Sequence, residues 1–184
     1  KYFGTDGFRG EANINLTVEH AYKVGRYIGW YFNQKSSSRA KIVIGKDTRR
    51  SSYMFENALV AGLTASGADA YMLYVTTTPS VAYVVRTEQF DCGIMISASH
   101  NPYYDNGIKV INGRGEKMDD ETIAAIEAYL DGDYAQLGLE DDVPAAHREE
   151  LGEIVDYVSG RNRYVGYLIS LASHSYKNMR VGLD

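Results

Sequence analysis

Apolar residues recur along this chain at two alternating spacings, and this alternation constrains the fold more than any other feature. A spacing of three to four residues predicts helices, over residues 16–32, 52–66, 79–87, 119–130 and 161–173. Thr17 is in the N-cap position of the first helix, and Pro79 lies in the first turn of the third. Short apolar runs predict strands, at residues 41–45, 69–75, 91–97 and 107–112. Strands that alternate with helices are typical of a layered α/β fold.

A change in composition divides the chain near its last third. Residues 132–150 are rich in acidic side chains and contain the last proline, Pro144, which is typical of a solvated connection. We therefore expect one α/β domain over residues 1–145 and the incomplete start of a second domain over residues 151–184. Residues 179–184 have the pattern of an opening strand of that second domain.

Composition argues against several classes of function. The 184 residues carry a formal net charge of −5, which is unfavourable for binding a nucleic acid backbone. No apolar run approaches the roughly 18 residues of a membrane span, and no cleaved signal is recognisable, so we expect no membrane partner and a cytoplasmic location. Cys92 is the only cysteine and has the setting of a core residue. Nothing in the sequence predicts an oligomeric state.

Glycine occurs together with a cation in polar segments at predicted turns. These segments are 4–10 (Gly-Thr-Asp-Gly-Phe-Arg-Gly), 45–49 (Gly-Lys-Asp-Thr-Arg) and 97–109 (Ser-Ala-Ser-His-Asn-Pro-Tyr-Tyr-Asp-Asn-Gly-Ile-Lys). Glycine lets the backbone approach a ligand, exposed amides bind anions, and Arg or Lys adds positive charge. The segments together predict a phosphorylated ligand. In the second of them, Lys46, Asp47 and Arg49 could instead cap the next helix or pair with each other, so we assign them no catalytic role.

The longest segment places Ser99 on a loop between two predicted strands, beside His100 and Pro102, with Lys109 in the returning strand. Such a serine could be a nucleophile, a phosphate carrier or a turn residue that caps its own loop. A hydrolase triad is disfavoured because the Gly-x-Ser-x-Gly elbow is absent from the sequence, and the common nucleotide-binding loops are absent as well. The flanking residues favour a functional serine.

Residues 97–102 and 106–109 resemble the active-serine loop of the α-D-phosphohexomutases. Residues 4–10 are similar to the N-terminal signature of the branch of that family that acts on glucosamine phosphates, and residues 45–49 are similar to a further turn of the family. The resemblance implies a three-layer α/β/α sandwich with a mixed sheet, followed by the start of a second, similar domain. Because the family has four domains, it also implies that this chain is an N-terminal piece and is inactive by itself.

The resemblance also implies a reaction. Ser99 would carry a phosphoryl group, transfer it to a sugar monophosphate and take back the other phosphate, which moves phosphate between C6 and C1. Ser99 would be primed by a sugar bisphosphate or by a kinase-type reaction, and Mg²⁺ would bind its phosphate together with carboxylates beyond Asp184. Lys109 would be the general base or charge stabiliser, His100 a hydrogen-bonding partner of the sugar or phosphate, and Arg9 a cation near the transferring group.

Two alternatives stay open at this point. A phosphomannomutase or phosphoglucomutase of the same family would share these motifs, because only residues 4–10 indicate the sugar. A non-catalytic sugar-phosphate binding or assembly module would have the same fold without turnover. In each case we expect a small sugar phosphate as the partner.

Overall fold

The computed structural model describes residues 2–182. In chain order, its strands and helices are β1 (Phe3–Gly4), β2 (Gly7–Glu11), α1 (Val18–Lys35), β3 (Lys41–Lys46), α2 (Arg50–Ala65), β4 (Asp69–Val75), α3 (Thr78–Thr87), β5 (Cys92–Ile96), β6 (Asp105–Asn112), α4 (Asp120–Asp131), β7 (Ile154–Asp156) and α5 (Val158–Ser170). Short 3₁₀ turns lie between α4 and β7, at Ala135–Leu137 and Arg148–Glu150.

The strands form one seven-stranded sheet in the order β1-β2-β6-β5-β3-β4-β7. β5, β3, β4 and β7 run parallel to one another, whereas β6 is antiparallel to both of its neighbours, β5 and β2. In this order, the chain goes from β3 to the neighbouring β4 toward one edge of the sheet, and from β5 to the neighbouring β6 toward the other edge. The sheet is therefore mixed, as expected.

Helices cover both faces of this sheet. α1, α2 and α4 pack on one face, where Ile28, Phe55 and Ile126 are fully buried. α3 and α5 lie on the other face, where Val81 and Val84 are fully buried. This arrangement confirms the three-layer α/β/α fold.

Most predicted elements are confirmed to within a few residues. The Thr17 hydroxyl accepts a hydrogen bond from His20 N, as an N-cap side chain should, and Pro79 lies in the first turn of α3. The antiparallel pair β1 and β2 was not predicted, because glycines interrupt a very short apolar pattern. Cys92 is fully buried, in agreement with its expected place in the core.

The end of the chain differs from expectation. β7 pairs with β4, so residues 154–156 belong to the first sheet although they follow the boundary predicted at Leu151. α5 packs against α3, and Arg163 forms an ion pair with Glu88. The predicted strand at 179–184 is wrong for residues 179–182, which are exposed and have no strand partner; residues 183 and 184 lie outside the described residues. A second domain stays a prediction, and a boundary after β7 agrees better with the sheet.

Among residues 2–182, no helix is both long and apolar enough to cross a bilayer.

Candidate active site

The loops that follow β3 and β5 meet at the carboxyl edge of the sheet. The chain leaves β3 toward β4 and leaves β5 toward β6, so the two loops diverge from adjacent strands. Asp47 N donates a hydrogen bond to Ile96 O over 3.0 Å and ties the two strand ends together. In open α/β sheets, a crevice of this kind is the usual place for a ligand.

Ser99 lies on the loop after β5 with its side chain exposed. Its φ of +56° is in the left-handed region, which costs a residue other than glycine about 1–2 kcal/mol. Ser99 N donates to Ser97 Oγ over 3.0 Å, and Ser99 Oγ lies 3.4 Å from His100 Nδ1. The structure thus combines an exposed hydroxyl with a fixed and unusual backbone.

Arg9 reaches this loop from β2, where it is paired with Gly107 of β6. Its Nη1 donates to Asn101 Oδ1 over 3.0 Å, and its Nη2 lies 3.5 Å from an Asp6 carboxylate oxygen. The pairing of β2 with β6 therefore brings a predicted site residue to the serine loop from a position about ninety residues away in the chain.

Lys109 lies in β6, paired with Met95 of β5, and lines a cleft of about 220 Å³ with Asp6 and Thr78. Burial lowers the pKa of Lys109 and the Arg9 guanidinium lowers it further, while Asp6 and Asp47 act in the opposite direction. In the part of the chain that the structure describes, no hydrogen bond joins Lys109 to Ser99. The structure brings the two residues to the same edge of the sheet without direct contact.

Arg49 contacts the serine loop, which the sequence did not predict. Its guanidinium donates hydrogen bonds to the carbonyl oxygens of Ser99 (2.9 Å), Asn101 (2.8 Å) and Asp105 (3.1 Å), and also to that of Pro102. The only sequence signal was the position of Arg49 at the end of a polar glycine segment.

Asn106 was also missed as an individual residue, although it belongs to the motif at 106–109. It is fully buried, and its Nδ2 donates to the hydroxyls of Ser51 (2.8 Å) and Ser52 (2.9 Å) at the start of α2. Its Oδ1 accepts from Gly107 N over 2.8 Å. The serine loop and the first turn of α2 are therefore one hydrogen-bonded unit.

Lys46 and Asp47 have structural partners. Lys46 is buried and forms an ion pair with Glu56. Asp47 accepts hydrogen bonds from Ser52 Oγ (2.7 Å) and Arg49 N (3.0 Å). Burial raises the pKa of Asp47, but these hydrogen bonds and others from Ser97 and the Arg49 side chain outweigh burial and leave it lowered. Asp47 and Arg49 therefore pair with each other, as one interpretation of this segment had it, whereas Lys46 pairs outside the segment with Glu56.

The charges around Ser99 suit an anion. Arg9, Arg49 and Lys109 bring positive charge to this edge of the sheet, and the first two contact the loop directly. Between residues 2 and 182, no three His, Cys, Asp or Glu side chains group as metal ligands. The donor set therefore fits a phosphoryl group and does not by itself fit a divalent cation.

Comparison with known proteins defines the class to which this fold and site belong. The chain belongs to the phosphoglucomutase/phosphomannomutase family, whose alpha/beta/alpha domain I matches residues 1–136. It is similar to the phosphoglucosamine mutases of Lachnospira eligens (68% identity) and Lachnoclostridium phytofermentans (65% identity), covering 100% of this chain and 40% and 39% of theirs. The chain thus spans about two fifths of the length of these curated relatives.

The fold also occurs in a solved structure. A phosphoglucomutase/phosphomannomutase family protein from Burkholderia thailandensis superposes with a TM-score of 0.72 at 22% sequence identity, over 92% of this chain and 35% of that one. This likeness supports the α/β/α architecture described above.

Proposed function

We propose that this chain is the serine-bearing first domain of a phosphoglucosamine mutase, which interconverts glucosamine 6-phosphate and glucosamine 1-phosphate in the cytoplasm. The observation that carries the proposal is the exposed hydroxyl of Ser99, on a loop at the carboxyl edge of the sheet that the guanidinium groups of Arg9 and Arg49 contact. The amino-sugar substrate is supported by the names of relatives at 65% and 68% identity.

In the proposed reaction, Ser99 Oγ carries a phosphoryl group. The bond between Oγ and phosphorus breaks as a sugar hydroxyl oxygen bonds to phosphorus, and the proton of that hydroxyl passes to a base. Ser99 Oγ takes up a proton as it leaves. The resulting sugar bisphosphate reorients, and the bond between its other phosphoryl group and the sugar oxygen breaks as Ser99 Oγ bonds to phosphorus. The proton of Oγ passes through a base to that sugar oxygen. A bisphosphate or a kinase-type reaction first primes Ser99. Such transfers depend mostly on positioning and on stabilising charge on the phosphoryl oxygens.

Lys109 is the proposed base, because burial and Arg9 lower its pKa and so raise the fraction of neutral amine near pH 7. Arg9 is the proposed cation beside the transferring group, because its guanidinium already reaches the serine loop through Asn101. His100 is the proposed hydrogen-bond donor to the sugar or phosphate, because its ring lies beside Ser99 Oγ.

Mg²⁺ is part of the proposal as a hard cation that neutralises phosphoryl charge when bound. From this chain it would contact an oxygen of the Ser99 phosphoryl group. Because the described residues hold no group of three metal-ligating side chains, the other ligands would belong to the rest of the full-length protein.

Replacement of Ser99 tests the mechanism. In the full-length protein, Ser99→Ala should reduce turnover by about a thousandfold or more, because the acceptor oxygen is lost. The unfolding midpoint should stay unchanged, because the hydroxyl is exposed. Ser37→Ala, in the exposed loop before β3, is the matched control. Retained turnover in Ser99→Ala, or an active enzyme without phosphate on Ser99 by mass spectrometry, would rule out the phosphoserine mechanism.

Kinetics with several sugars tests the substrate. We expect kcat/KM to be at least about tenfold higher for glucosamine phosphate than for glucose or mannose phosphate. A higher value for either neutral sugar would move the proposal to a phosphoglucomutase or phosphomannomutase. Sugar-phosphate binding with no turnover on any of them would favour a binding module.

A further inference from the structure

We infer that Arg49 is a positioning residue, whose guanidinium fixes the backbone of the serine loop in the conformation that presents Ser99. The part of this inference that concerns turnover rests on the proposed function. The part that concerns the loop conformation does not, and it can be measured separately.

The first observation is the number of loop carbonyls that converge on one side chain. Both terminal nitrogens of Arg49 donate to the loop: Nη2 to Ser99 O and Asn101 O, and Nη1 to Pro102 O and Asp105 O. A guanidinium is planar and offers several donors in fixed directions, whereas an ammonium is a single centre on a flexible stem. The arrangement therefore requires arginine rather than positive charge alone.

The second observation is that Arg49 is itself held in place. Its Nε donates to Asp47 Oδ2 over 3.0 Å, and the side chain is only 11% exposed. Asp47 is in turn fixed by Ser52 Oγ and by its backbone bond to Ile96 O, which belongs to β5. The Arg49 guanidinium thus connects the serine loop, through Asp47, to the end of β5 and the start of α2.

The third observation is the backbone strain at Ser99. A serine at φ +56° keeps that conformation only where its surroundings over-determine it. The two sides of Ser99 are held separately: its N by Ser97 Oγ, and its O by Arg49. Without Arg49, the Ser99 carbonyl loses this hydrogen bond, and only the contact of Ser99 N with Ser97 Oγ remains of the two. The contacts also direct the loop carbonyl oxygens toward Arg49. Oxygens that point at the guanidinium do not point at a phosphoryl group on Ser99, whose negative charge they would repel.

These contacts predict which kinetic constant changes. Every terminal nitrogen of Arg49 already donates to the loop, so its loss should alter the position of Ser99 more than the binding of substrate. A displacement of about 1 Å from a reactive geometry costs about a hundredfold in rate. We therefore expect a fall in kcat with little change in KM.

The test uses the full-length protein with Arg49→Lys, which keeps the charge and removes the fork of donors. We expect kcat to fall about a hundredfold with KM within about twofold, and amides of residues 98–105 to exchange hydrogen about tenfold faster. Exchange in β5 should not change. Arg114→Lys is the matched control, since Arg114 lies in the turn at the opposite end of β6 and its side chain is 79% exposed.

Normal kcat or unchanged loop exchange in Arg49→Lys would overturn the inference. If that variant unfolds globally, Asp47→Asn replaces it, because it removes the carboxylate charge that orients Arg49 Nε; the amide oxygen can still accept a hydrogen bond from Ser52 Oγ or Arg49 N. Faster exchange confined to residues 98–105 is then expected, and unchanged exchange would overturn the inference. If the wild-type protein shows no mutase turnover, the proposed function fails, while the exchange measurement still decides the role of Arg49 in the loop.

Discussion

A buried ion pair beneath the serine loop allows a quantitative prediction about stability. Lys46 ends β3 with its side chain 2% exposed, and it pairs with Glu56 of α2, which is 7% exposed. The Lys46 Nζ also lies 4.4 Å from the centre of the Tyr53 ring. The second carboxylate oxygen of Glu56 is buried without a hydrogen-bond partner among residues 2–182. Lys46 therefore supplies much of what compensates the buried charge of Glu56.

Lys46→Met should leave that carboxylate buried without its counter-charge. Removing one partner of a buried pair costs about 3–5 kcal/mol, and the lost cation–π contact adds up to about 2 kcal/mol. We expect the free energy of unfolding to fall by about 4 kcal/mol. For an m-value of about 2 kcal/mol per molar urea, the midpoint would fall by about 2 M. The double variant Lys46→Met, Glu56→Leu should regain at least about 2 kcal/mol, because it leaves no unpaired charge.

Urea unfolding of the wild type, both single variants and the double variant measures the coupling directly, and Trp30, the only tryptophan, reports on the transition. Lys117→Met is the matched control, because Lys117 pairs with Asp120 over 3.9 Å and its side chain is 53% exposed. Such an exposed pair contributes less than about 1 kcal/mol. A loss below about 1 kcal/mol in Lys46→Met, or a double variant no more stable than Lys46→Met, would refute the reasoning.

Two further predictions concern charge and packing. Arg9→Gln removes a charge that lowers the pKa of Lys109, so the inflection of the pH–rate profile that depends on Lys109 should move to higher pH. The pKa of Lys109 in the folded protein lies below the ordinary 10.5, so between these two values the unfolded state binds more protons than the folded state. The free energy of unfolding should therefore rise with pH across that window. The rise should be smaller in Lys109→Met. Gly62→Ala should destabilise the protein by about 1–3 kcal/mol, because a Cβ there would lie 2.2 Å from a backbone oxygen of α1. Gly166→Ala in α5, with nothing within 4 Å, should instead stabilise it by about 0.5–1 kcal/mol in urea unfolding, and equal effects of the two changes would contradict the packing.

The sequence predicted the helices and central strands because each has a local pattern long enough to read. It did not predict β1, β2 or β7. β1 has two residues and β7 has three, and these strands exist through pairing with distant partners rather than through their own apolar spacing. The boundary predicted at Leu151 rests on the acidic composition before it, which is local, whereas the pairing of β7 with β4 is not.

The sequence proposes site residues where the proposed chemistry is carried by side chains in one motif. Ser99, His100 and Lys109 stand close together in sequence, and their types are informative. Arg49 could not be assigned in this way, because its partners are backbone carbonyls about fifty residues away, and a carbonyl has no residue type that a sequence pattern could display. For Lys46 the sequence left both a ligand contact and a structural partner open, and the structure shows it buried and paired with Glu56.

The cations at this edge of the sheet therefore divide into two pairs. Lys46 pairs with Glu56, and Arg49 pairs with Asp47 and donates to loop carbonyls, so both are already held by partners within the chain. Arg9 and Lys109 are different. The Arg9 Nε is buried without a hydrogen-bond partner within residues 2–182. Burial and the Arg9 charge lower the pKa of Lys109, although Asp6 and Asp47 act in the opposite direction. A phosphoryl group on Ser99 would bring negative charge to both Arg9 and Lys109. Loss of Arg9 or of Lys109 should therefore weaken phosphate binding, and the effect should depend on salt concentration. Changes at Lys46 or Arg49 should instead act through stability and loop geometry.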